Sequence, residues 1–159
     1  MVGCDRPAEP GTDSTPSRAA TSASVSAGPT EKTADSSSPC PRTGRWAICT
    51  VHKRLEQSGF VPRRAENENL RRLGFTVPPV VYNLGRARLE IFLYPDESAL
   101  ARDLASMDTV VVAPRGERND WEIPPRFIRS GNLIAVFLTR NEQQAERLTL
   151  AITAGPPQR

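Results

Sequence analysis

The chain has 159 residues and a formal net charge of +3, with a pI near 9.0, so one domain is the expectation. Of its 21 basic residues 19 are Arg, a bias that a GC-rich coding sequence produces, and the signs are interspersed with no block of five or six like charges. That pattern excludes a nucleic-acid footprint, while a single His and the absence of a Cys-x-x-Cys spacing exclude a structural metal site.

Residues 5–43 stand apart. Ser, Thr, Pro, Ala and Gly make up 28 of these 39 positions, Val25 is the one branched aliphatic, and no aromatic residue occurs. Such a segment cannot bury enough apolar surface to offset its ordering entropy, so composition predicts a disordered tether. As a coil it would span about 35 Å. The globular part is expected over 44–155, with 16 basic and 13 acidic residues, and 156–159 as a tail. That length carries one hydrophobic core without a metal or disulfide scaffold.

Within 44–155 the elements follow in order. Arg45 to Ser58 reads as a helix, with Ile48, Val51 and Leu55 on one face and Gly59 placed as a left-handed cap. Phe60 to Ala65 reads as a weak strand that Pro62 confines to an edge. Asn67 to Gly74 is a polar loop. Phe75–Tyr82 and Arg86–Tyr94 predict a hairpin turning through Asn83-Leu84-Gly85. In its second strand Ala87, Leu89, Ile91 and Leu93 share one face, whereas Arg86, Arg88, Glu90, Phe92 and Tyr94 share the other. Asp96 caps a helix bearing Leu100, Leu104 and Met107. Thr109–Ala113 reads as a short branched strand, 114–125 as loop, and Phe127–Arg129 with Asn132–Thr139 as two further strands. Asn141 and Gln144 open a last helix in a capping-box pattern, with Ala145, Leu148 and Ile152 facing inward. The expected class is α+β: a mostly antiparallel sheet of four to six strands with helices packed on one face.

The N-terminal residues Met1-Val2-Gly3-Cys4 resemble the end of a bacterial lipobox, in which a small residue precedes the cysteine that receives lipid. With the polar tether and a small α+β domain behind it, the chain resembles uncharacterised bacterial lipoproteins. The resemblance implies a palmitate-type lipid on Cys4, a membrane partner and a cell-envelope location. Asp5, directly after the cysteine, implies the periplasmic side of the inner membrane. A signal peptide needs a basic start and an apolar run, and these are expected upstream of Met1. An oxidising compartment then leaves Cys40 and Cys49 as a candidate disulfide. The stretches "GRARLEIFLYPDESAL" and "NLIAVFLT" loosely resemble a ferredoxin-like sandwich, which implies a fold class and no activity.

Candidate chemistry is sparse. His52 sits mid-helix beside Lys53 and Arg54, a solvated setting unsuited to a general base. No phosphate-cradling Gly-rich loop and no Gly-x-Ser-x-Gly elbow occurs, and no cofactor is implied. Paired carboxylates lie in expected loops, at Glu66/Glu68 and at Asp120/Glu122. If helices cover one side of the sheet only, the opposite face presents Arg86, Arg88, Phe92 and Tyr94 to solvent, and aromatics with Arg make good contacts for a protein or small-molecule partner. The expected function is therefore a membrane-tethered, envelope-facing, non-catalytic binding domain. The alternative is a small hydrolase-like enzyme using Asp120 and Glu122. The sequence itself specifies neither ligand nor oligomeric state.

Overall fold

A computed structural model of the chain describes residues 40, 41, 43–66 and 69–156. The lipobox-like start, the tether as far as residue 39, and Glu68 lie outside the described residues. Among the described residues the domain is a small α+β fold: three helices, a five-stranded antiparallel sheet in the order β1 (Arg63–Arg64), β2 (Val80–Leu84), β3 (Ala87–Leu93), β7 (Leu133–Leu138), β6 (Arg126–Ser130), and a separate two-stranded ribbon of β4 (Met107–Asp108) and β5 (Ala113–Pro114).

Helix α1 (Ile48–Gln57) follows Trp46 and ends at Gly59, whose φ of +77° is the left-handed cap the sequence implies. Strand β1 shrinks to Arg63–Arg64 at one sheet edge. Strand β2 begins only at Val80 and runs to Leu84; Pro78 and Pro79 cannot donate to a ladder, so Phe75–Val77 stays outside the sheet. The turn into β3 (Ala87–Leu93) is also displaced from its expected place. Leu84 pairs with Ala87, which leaves Gly85 (φ +67°) and Arg86 as the two loop residues. Asn83 and Leu84 are thus ladder residues.

Helix α2 (Glu97–Ser106) is capped by Asp96, whose carboxylate accepts from the Ala99 amide at 2.7 Å. The branched run after it makes no single strand. It forms the turn between β4 (Met107–Asp108) and β5 (Ala113–Pro114), with Val112 buried at φ +52°. Strands β6 (Arg126–Ser130) and β7 (Leu133–Leu138) form a second hairpin. Helix α3 (Glu142–Thr153) is capped by Asn141, which accepts from the Gln144 amide at 3.1 Å. The expected box closes differently: the Gln144 side chain accepts from the Thr139 hydroxyl, which in turn accepts from the Asn141 amide.

Alternation along β3 and β7 sorts the core into two layers. Leu89, Ile91, Ala135 and Phe137 face α1 and α3, where Val51, Leu55, Leu148 and Ile152 meet them. Phe92, Ile134, Val136 and Leu138 face the other way, toward Leu100 of α2 and the ribbon residues Met107 and Val112. The antiparallel α+β class therefore holds, but helices cover both faces of the sheet and not one. The ferredoxin-like likeness does not extend to strand order. That sandwich sets a further strand between two helix-linked strands, whereas β3 and β7, linked here through α2, are direct neighbours.

Asn132 joins these parts. Its side-chain amide accepts from the Trp46 amide at 2.8 Å and donates to the carbonyls of Tyr94 and Trp46 at 2.9 and 3.3 Å. One buried side chain thus ties the approach to α1, the end of β3 and the β6–β7 turn.

Candidate functional site

The face expected to be open is covered. Phe92 has no exposed surface and stacks on Phe75 with ring centroids 3.7 Å apart; Tyr94 is buried beside it. The expected binding surface of Arg86, Arg88, Phe92 and Tyr94 is corrected accordingly, because the covering layer of 72–77, α2 and 107–123 packs onto the two aromatics. The Tyr94 hydroxyl donates to Asp103 at 2.7 Å, and the same carboxylate oxygen accepts from the Thr76 amide and hydroxyl at 2.8 and 3.0 Å. Burial, and then the Asp103 carboxylate, push the Tyr94 phenol far above its ordinary range, so it stays protonated.

Beside this lies a second buried acid. Glu90, with no exposed surface, sits mid-strand on the covered face and is held by two arginines. Arg72 grips it through both oxygens, at 2.7 and 3.0 Å, and Arg88 donates at 3.0 Å. The fork geometry of guanidinium against carboxylate is the strong form of this contact. The Arg72 guanidinium also lies 4.2 Å from the Trp121 ring centroid and donates to the Asp120 carbonyl. Trp121 donates to the Val111 carbonyl, and Asn119 bridges Leu73 and Val112. The loop over 109–121 is thereby stitched down onto the sheet through Glu90.

Downstream of Trp121, the chain forms one wall of an open groove of about 670 Å³. Glu122 and Ile123 come from this loop, Arg86 from the β2–β3 turn, and Arg140, Asn141 and Gln144 from the junction of β7 with α3. Arg86 and Arg140 are exposed, and neither meets a partner among the described residues. The groove thus offers two free guanidinium groups, one carboxylate and a short apolar floor. Its end of α3 is already capped by Asn141, so the arginines supply the positive charge rather than the helix terminus.

The remaining expected residues are placed as follows. Asp120 and Glu122 are both exposed; Glu122 lines the groove and Asp120 does not. Glu66 lines a separate shallow pocket with Arg64 and Asn69. His52 is 40% exposed, 3.5 Å from Glu56 one turn away and tilted against the Tyr82 ring. Cys40 and Cys49 are free, half-buried thiols, and burial first, with Cys40 second, pushes the Cys49 thiol above its ordinary range. Cys4 lies outside the described residues. Arg72, Trp121, Asp103 and Arg140 were invisible to pattern reading. The one sequence signal for the buried cluster is Glu90 itself, a carboxylate between Leu89 and Ile91 in the most regular strand. No family model matches this chain, and no curated protein or solved structure matches it.

Proposed function

We propose that this chain is a non-catalytic binding domain, tethered to the cell envelope by a lipid on Cys4, that takes an acidic ligand in the groove between Arg86 and Arg140. The observation that carries the reading is the distribution of charge. Glu90 and Asp103, the buried carboxylates, are engaged by arginines and by Thr76 and Tyr94, whereas Arg86 and Arg140 stand free at the mouth of an open groove. Free guanidinium groups favour carboxylate or phosphate ligands and speed their encounter. A carboxylate acting as acid or base works best in a cleft that shifts its titration, and Glu122 sits instead at an exposed rim. The lipid anchor is supported by the likeness of Gly3-Cys4 and the polar stretch behind it to bacterial lipoproteins.

Two measurements test the halves separately. Palmitate labelling of the natural gene product in its bacterial host should mark the chain, and Cys4→Ser should abolish the label. A Glu-rich peptide added to the isotope-labelled chain should shift the amides of Gly85, Arg86 and Arg140, with affinity falling as salt rises. The double variant Arg86→Ala/Arg140→Ala should weaken that binding about tenfold or more, as two lost charge contacts imply. Shifts that survive the double variant unchanged would place the ligand elsewhere.

A further inference from the structure

The groove does not offer the same chemistry throughout. At the β7–α3 junction every side-chain acceptor that lines it is already engaged. The Asn141 side-chain oxygen accepts from the Gln144 amide at 3.1 Å, and the Gln144 side-chain oxygen accepts from the Thr139 hydroxyl at 3.2 Å. The Thr139 hydroxyl accepts in turn from the Asn141 amide at 3.1 Å. An amide side chain whose oxygen is taken has only its NH2 left to offer. Among the described residues nothing occupies the NH2 of Asn141 or of Gln144. With Arg86 and Arg140 they make a wall of donors.

Glu122, contributed by the loop, is the carboxylate that lines the same opening. It makes no ion pair with Arg86 or Arg140 among the described residues. Glu142, the acid next along the chain from the junction, is held by Arg126 and does not line the groove. Opposite charges thus share one opening without closing on each other. Ala87 and Leu138, both buried, and half-buried Ile123 add apolar surface to it. At about 670 Å³ the opening is in the size range of small-ligand sites.

We propose that the ligand of this groove is a zwitterion with an amine at one end and a carboxylate at the other, as in a short peptide with free termini. Its carboxylate binds the donor wall and its ammonium binds Glu122. The proposal rests on the acidic-ligand reading above and adds a direction to it. A carboxylate only accepts and an ammonium only donates, so each end has one place to sit. The reverse orientation would set the ammonium against two guanidinium groups and the carboxylate against Glu122. Apolar surface in the same opening suits an aliphatic side chain carried between the two ends.

The test titrates the isotope-labelled full chain with the tripeptide Ala-Leu-Ala in three forms: free termini, N-acetylated and C-amidated. The amides of Arg86, Glu122, Ile123 and Arg140 report binding. Acetylation and amidation should each weaken binding about threefold or more, the scale of one exposed charge pair. In a groove that reads negative charge alone, acetylation would strengthen binding, because it removes the positive charge of the ligand. Glu122→Gln should make the chain indifferent to acetylation while amidation still weakens binding. Arg86→Ala/Arg140→Ala should do the reverse. An acetylated peptide that binds as well as the free one, or better, would overturn the proposal. So would an Ala-Leu-Ala that leaves all four amides unmoved. In either case a Glu-rich peptide that still shifts Arg86 and Arg140 leaves the acidic-ligand reading standing, and one that does not removes both.

Discussion

The two faces of the sheet are held in different ways. On one, α1 and α3 meet Leu89, Ile91 and Phe137 through apolar contact alone. Each helix satisfies its own backbone, so the layer needs little beyond packing. On the other, only α2 is a helix of comparable length, and much of the cover is irregular chain from 72–77 and 109–123. Irregular chain arrives with unpaired amides and carbonyls, and side chains must supply their partners. Asp103 serves Thr76, Asn119 serves Leu73 and Val112, and Glu90 anchors Arg72. A layer made of loops is thus a polar construction over an apolar floor, and it fails by different routes from a layer made of helices.

Truncation of the floor gives the largest expected effects and tests whether both faces are truly core. Phe92→Ala should destabilise by about 4 kcal/mol, as much as or more than Leu89→Ala on the opposite face, because both side chains lack any exposed surface and the larger one leaves the larger cavity. Chemical denaturation of the two variants decides it. A loss at Phe92 well below that at Leu89 would mean that the loop layer lifts off readily. Next comes the buried acid. Arg72→Ala removes the two-pronged grip on Glu90, the stacking on Trp121 and the tie to Asp120, and should cost about 3 kcal/mol. Arg88, 30% exposed, remains as a partial partner and keeps the loss from running higher. In the same variant, hydrogen exchange should rise first over 109–121, with α1 and α3 still protected.

The pH dependence of stability sharpens the same contrast. The chain has two tyrosines, Tyr82 on the helical face and Tyr94 on the loop face, and both phenols are raised by burial, Tyr94 further by Asp103. A group that holds its proton more tightly when folded contributes stability that is whole below its unfolded pKa, about 10 for tyrosine. That contribution is lost as pH climbs above it toward the folded value. Tyrosinate absorbance should therefore appear cooperatively with unfolding, and not as a gradual titration of the native domain. Tyr94→Phe should cost about 2 kcal/mol at neutral pH, the net worth of one hydrogen bond to a carboxylate, and should flatten the alkaline loss. The smallest effect belongs to the helical side: Asn141→Ala at the α3 cap should cost about 1 kcal/mol or slightly less, read as a small shift in the thermal midpoint with loop protection unchanged.

How much of this was legible follows from the same difference. The helix faces of α1 and α3, the Asp96 and Asn141 caps and the alternation of β3 were all readable, because periodicity and caps are local properties. Phe92 and Tyr94 were correctly assigned to the face opposite Leu89. Their cover was not readable, since 109–125 carries no period that marks it as a layer. Thr109–Val112 illustrates the limit: its branched residues read as strand, yet they make a turn and leave Val112 at positive φ. The hairpin register likewise differs by three, Tyr82 pairing with Leu89 and not with Arg86, because Asn83 favours turns in general and nothing local to it reveals that Leu84 pairs with Ala87. Of the groove, Arg86 and Glu122 were singled out, but as members of two separate sites. Only the tertiary approach of the β7–α3 junction places them, with Arg140, around one opening.

The outer strands of the sheet carry a consequence for how copies of this domain behave beside one another. An unpaired edge invites a neighbour's strand, and the invitation grows more dangerous as molecules crowd. Here one edge is only Arg63–Arg64, both exposed, and the other, β6, carries exposed Arg126 and Arg129, with Arg126 paired to Glu142 of α3. Two copies aligned edge to edge would bring guanidinium groups together before any ladder could form. Brevity at one margin and charge at both make the sheet a poor template for a strand from its own kind.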